Sequence, residues 1–97
     1  MMDKWYIETG TIKEVVLAED SADAFKDGLE KGLDRANHYE AEYSLSELIV
    51  ASQRGFISDD PTVSDDAMFN STANVLRNIG QDEIAMMLEE VEDTYED

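Results

Sequence analysis

Two rhythms of apolar residues run along this chain. Trp5-Tyr6-Ile7-Glu8 is rich in aromatic and β-branched types and predicts a strand. Thr11–Ala18 predicts a second strand, with Ile12 and Val16 on one face, and the Thr9-Gly10 turn signal between the two makes them an antiparallel hairpin. Helical spacing follows. Ala22, Phe25, Leu29, Leu33 and Ala36 form one apolar stripe. Asp20 or Ser21 is placed to cap its first N–H groups, and Asp23 lies at the positive end of the helix dipole. Gly28 and Gly32, one turn apart, each weaken a helix by roughly 1 kcal/mol relative to Ala, and close packing of the helix on the sheet accounts for both.

Residues 44–54 carry two signals. Ser44-Leu45-Ser46-Glu47 matches a capping box for a helix ending at Gly55. Glu47-Leu48-Ile49-Val50-Ala51 reads as a buried strand followed by a turn. The strand is favoured because a hairpin needs a further partner to be stable. Phe56 to Ser64, with the single Pro, reads as a loop. Ser64 is placed to cap a helix in which Met68, Thr72, Val75, Leu76 and Ile79 share a face, ending at Gly80; a restart at Ser71 is the alternative. Asp82 opens a last helix with the stripe Ile84, Met87, Leu88, Val91 and Tyr95. The expected architecture is α+β: a small antiparallel sheet, made of the N-terminal hairpin plus a third strand, packed against about three helices in one domain spanning 1–97.

Charge changes the picture of the surface. The chain carries 24 Asp and Glu against 7 Lys and Arg, for a formal charge of -17. The periodic apolar positions still argue for a folded core beneath that skin. Nucleic acid and anionic lipid would be repelled, while a basic protein surface would be attracted. With no Cys, disulfides, thiolate zinc sites and Cys nucleophiles are excluded. No stretch approaches 18 consecutive apolar residues, and no apolar signal region follows Met1, so the expected location is the cytoplasm.

Candidate chemistry is sparse. His38 is the only histidine, and no nucleophile-elbow or phosphate-cradle pattern accompanies it. Asp59-Asp60 and Asp65-Asp66 bracket the loop but lack the order of an EF-hand; helix capping by Asp65 and solvation explain them better than a divalent site. No catalytic, cofactor or metal residue is therefore assigned. Trp5 reads as a core cap and Met86 as a core margin, each with partner contact as the sharper alternative.

The acids themselves are the remaining candidates. The final 16 residues hold 8 acids and no base. Asp82, Glu83, Glu89, Glu90, Glu92 and Asp93 are assigned to electrostatic partner binding, together with Asp23, Asp27 and Glu30 from a second dense set between Glu14 and Asp34. Acids one helical turn apart stand roughly 6 Å apart, similar to phosphates along a strand, so such a row can imitate nucleic acid. A plain solvated face is the competing explanation.

Lys4–Gly10, Leu48–Phe56 and Ser71–Gly80 together resemble small acidic proteins of T4-like phages of marine cyanobacteria, over about a quarter of the chain. The resemblance implies expression inside an infected host cell and binding to a host or phage protein; it carries over no activity and no site. The expected function is that of a non-enzymatic acidic protein docking on a basic protein surface, with a nucleic-acid-binding protein among the candidate partners. The alternative is an acidic assembly domain, such as a homodimer.

Overall fold

The computed structural model describes residues 2–35 and 45–95, with the last turns of the final helix described by backbone alone. The first strand, β1, spans Asp3–Thr9, and β2 spans Ile12–Ala18. They pair antiparallel from Thr9↔Ile12 to Asp3↔Ala18 through the two-residue turn Gly10-Thr11. β3, Leu48–Ser52, pairs antiparallel with the other side of β1, and β4, Met68–Ser71, pairs antiparallel with β3. The strand order is β2-β1-β3-β4.

The α+β architecture is therefore as the periodicities predict, with one more strand. Within 44–54 the strand reading holds over Leu48–Ser52, while Ser44 lies outside the described residues. Met68 does not belong to a helix: residues 68–71 complete the sheet, and helix α2 begins at Thr72, running to Asn78. Ser71 ends β4 and caps α2 at once, its hydroxyl accepting from Asn74 N at 3.4 Å. The apolar residues around this junction satisfy a helical spacing by chance, because a four-residue strand is too short to impose its own alternation. Gln81 N donates to Leu76 O at 2.8 Å, closing α2 in a Schellman turn, and α3 follows over Asp82–Tyr95.

Helix α1, Ser21–Arg35, returns over the sheet antiparallel to β2. Asp20 caps it, its carboxylate accepting from Asp23 N at 2.9 Å. The buried arc comprises Ala24, Phe25, Gly28, Leu29 and Gly32, with Leu33 half-buried. Ala22 of the predicted stripe is exposed. The helix turns its glycines, not Ala22, toward the sheet. A Cβ on Gly28 would stand 2.5 Å from Ile7, and one on Gly32 would collide with Ile12 Cγ2. Close approach thus places α1 directly on β1 and β2.

The core lies between this face of the sheet and the helices, built on Ile7, Leu29, Ile49, Val75 and Leu76. Among the described side chains of α3, Ala85 is buried, with Ile84 and Leu88 packed at the core margin; Met87, expected in the stripe, is 44% exposed, and the side chains of Val91 and Tyr95 lie outside the described residues. Trp5 packs at the core edge and donates from Nε1 to Ala18 O at 3.3 Å. Tyr6, on the other face, is not left to solvent: the ring of Phe56 meets it edge-on at 5.2 Å.

That second face is covered in part by the loop between β3 and β4. Its anchors are the Tyr6–Phe56 contact, Ser58 N donating to Glu8 Oε1 at 3.2 Å, the ion pair Lys13–Asp59 at 3.4 Å and buried Val63. A short 3-10 helix, Pro61–Asp65, is capped by Asp60; Ser64 and Asp65, expected to cap the helix that follows the loop, lie inside this turn, and that helix is capped by Ser71 instead.

Candidate functional site

β2 lies at one edge of the sheet, and no described strand pairs with its outer side. Every second residue of such a strand directs its N–H and C=O away from the sheet. Side chains alternate cleanly along it. Ile12, Glu14, Val16 and Ala18 are buried toward α1, while Lys13, Val15 and Leu17 point to the opposite face. Leu17 is 62% and Val15 40% exposed, because the β3–β4 loop reaches Lys13 but leaves them bare.

Above the same edge runs the outer side of α1. Asp23, Asp27, Glu30 and Asp34 recur at intervals of four, three and four residues, so they share one stripe, and all are exposed. The stripe is about 16 Å long at 1.5 Å per residue. Between it and the strand is an open groove of about 440 Å³. Val15, Val16 and Leu17 line it from the strand; Asp27, Glu30, Lys31 and Asp34 line it from the helix, with Lys4 contributing from β1. Lys4 also stacks its ammonium 5.0 Å from the Tyr6 ring.

Glu14 is the one acid of β2. It is turned inward, 8% exposed in its side chain, and meets Arg35 Nε at 3.4 Å. A charge pointing inward from an edge strand opposes pairing with another copy of the same strand, because a slip or rearrangement would strand it.

Of the acids assigned from sequence, Asp27 and Glu30 line the groove and Asp23 extends the same stripe. Asp82 and Glu83 are exposed in the first turn of α3, on a different element. The side chains of Glu89, Glu90, Glu92 and Asp93 lie outside the described residues, as does His38. Asp34, which ends the second dense set of acids, lines the groove too, while Val15, Leu17 and Lys31 are members the sequence reading does not mark. The signal was present in Val15-Val16-Leu17-Ala18, where apolar residues continue on both faces of the strand.

The acids of the β3–β4 loop serve the loop. Asp60 accepts from the Thr62 hydroxyl at 2.6 Å and from Thr62 N at 3.1 Å; these bonds, with Arg54 nearby, hold its carboxyl below the usual value of 3.8. Asp66 pairs with Arg54 at 2.5 Å. Among the described residues, no group of three or more His, Asp or Glu is placed to hold a metal ion, and no helix is long and apolar enough to cross a membrane. No family model, no curated protein and no solved structure matches this chain.

Proposed function

We propose that this is a non-enzymatic acidic binding protein that docks on a basic protein surface. The observation that carries the reading is the stripe of Asp23, Asp27, Glu30 and Asp34 held rigidly along an open strand edge, within a chain of net charge -17. Rigid placement matters, because charges fixed by a packed helix steer a partner without the ordering cost of a flexible acidic tail. A nucleic-acid-binding protein is the fitting class of partner, since its surface already accommodates rows of anions. The resemblance to phage proteins supports an accessory role inside an infected cell, in the cytoplasm.

The test is capture of basic proteins at low salt, followed by kinetics on what is retained. Binding should fall steeply as salt rises. Neutralising the acids of α1 (Asp23→Asn, Asp27→Asn, Glu30→Gln) or α3 (Asp82→Asn, Glu83→Gln) should slow association more than it speeds dissociation. A complex indifferent to both salt and these changes overturns the reading.

A second reading is favoured by Leu48, Met68 and Phe69, which lie exposed in the strands at the other end of the sheet. On that reading the protein is an acidic assembly domain, and those residues bury in a homodimer. Sedimentation at low and high salt separates the two: self-association strengthened by salt belongs to the second.

A further inference from the structure

We infer that the groove beside β2 takes an extended partner segment as an added strand, and that the segment alternates basic and apolar side chains. The inference rests on the docking function proposed above and names the mode and the chemistry of recognition.

Three features converge on this edge. The outward N–H and C=O groups of β2 offer a ladder of hydrogen bonds over the seven residues Ile12–Ala18. A strand laid against them at about 4.8 Å would send alternate side chains to opposite faces of the sheet. On the α1 side these side chains arrive beneath Asp27, Glu30 and Asp34; on the other they arrive beside Val15 and Leu17. The spacing agrees. Side chains two residues apart on a strand stand about 7 Å apart, and Glu30 and Asp34 are about 6 Å apart along the helix. Lys31 sits in the same wall and leaves it acidic by three carboxylates to one ammonium.

The occupant follows from charge. A second copy of this chain would bring its own stripe of acids and another -17 to the same line, and would leave both inward Glu14 residues beside the junction. A basic segment meets attraction at the same place. Its apolar residues cover Val15 and Leu17, which the fold leaves 40% and 62% exposed. The backbone ladder supplies affinity, and the two unlike walls fix register, because a slip of one residue would place lysines against Leu17 and apolar groups against the acids.

The experiment uses the full chain and three peptides of about nine residues, a length that spans the edge with one residue over at each end. One alternates Lys with Val. The second has the same composition in two blocks. The third is the alternating peptide N-methylated at every second backbone nitrogen on its pairing edge. Amide shifts are followed at low salt. The alternating peptide should bind about tenfold more tightly than the block peptide, with shifts concentrated in residues 12–18 and along α1. N-methylation should abolish binding. Combining Asp27→Asn, Glu30→Gln and Asp34→Asn, all exposed positions, should weaken it by about tenfold or more. Equal binding of all three peptides, spread over the acidic surface, overturns strand addition while leaving the docking function standing. Absence of binding by all three peptides overturns strand addition, while the docking function stands or falls on the salt-dependent capture of basic proteins described above. Protected β2 amides in a self-associated chain without peptide would show that a second copy owns the edge, and would overturn the basic segment as its occupant.

Discussion

The hydroxyl of Thr9 sits where three separate stretches of chain meet. It accepts from Ser46 N at 3.2 Å, stands 3.0 Å from Leu48 O and contacts the hydroxyl of fully buried Thr72 at 3.2 Å. One side chain thereby joins the end of β1, the entry to β3 and the start of α2, and no buried side-chain polar atom among the described residues lacks a partner. Replacing Thr9 by Val keeps the shape and removes the bonds, leaving the buried Thr72 hydroxyl and the Ser46 N–H without this partner. The expected loss is about 1–3 kcal/mol in chemical denaturation, and Thr9→Ser should recover most of it. A midpoint unchanged in Thr9→Val would mean that the hydroxyls find other partners. Nothing in the local sequence marks Thr9 for this role, because its partners come from 37 to 63 residues away.

At the scale of elements, most helices and strands are legible in the sequence; β4 is not, because it is too short to impose its alternation, and Ala22 is misplaced for a different reason. Asp20 as cap, the hairpin, the strand at 48–52 and the stop at Gly80 all express local chemistry. Ala22 is exposed although apolar, because hydrophobicity stands in for burial only when the packing distance is ordinary. Where α1 touches Ile7 and Ile12, there is room for glycine alone, and a residue with no apolar side chain becomes the core position. Gly28→Ala should therefore destabilise the protein by about 1–3 kcal/mol through overpacking against Ile7, although alanine improves helix propensity by about 1 kcal/mol. Thermal melting checks the sign. A stabilised variant would show that α1 can lift from the sheet without loss.

For the whole molecule, charge is the dominant variable. Twenty-four acids on a chain of 97 residues repel one another in the compact state more than in the expanded one. The melting temperature should rise on adding salt to about 0.15 M, where the Debye length shrinks to about 8 Å. It should rise as well on mild acidification. That gain has a floor. The carboxyl of Asp60 is held below 3.8 by its bonds to Thr62, so the stabilisation it contributes is present above that value and disappears as pH falls through its lower folded value. Differential scanning at several pH and salt values tests both branches, and a melting temperature that drops on adding salt would contradict the repulsion argument.

Local chemistry alone was enough for the class of fold, the order of most elements, the acidity of the exterior and the exclusion of thiol chemistry, since each depends on residue type and near-neighbour spacing. It was also enough to mark Asp23, Asp27 and Glu30 as candidates. Long-range pairing was needed to put β2 at an edge, to add β4 as the fourth strand and to lay the acids of α1 beside Val15 and Leu17. Those facts depend on which strand lies next to which, and on how closely a helix can approach. Contacts between residues far apart in the chain settle both, and no short window of sequence contains them.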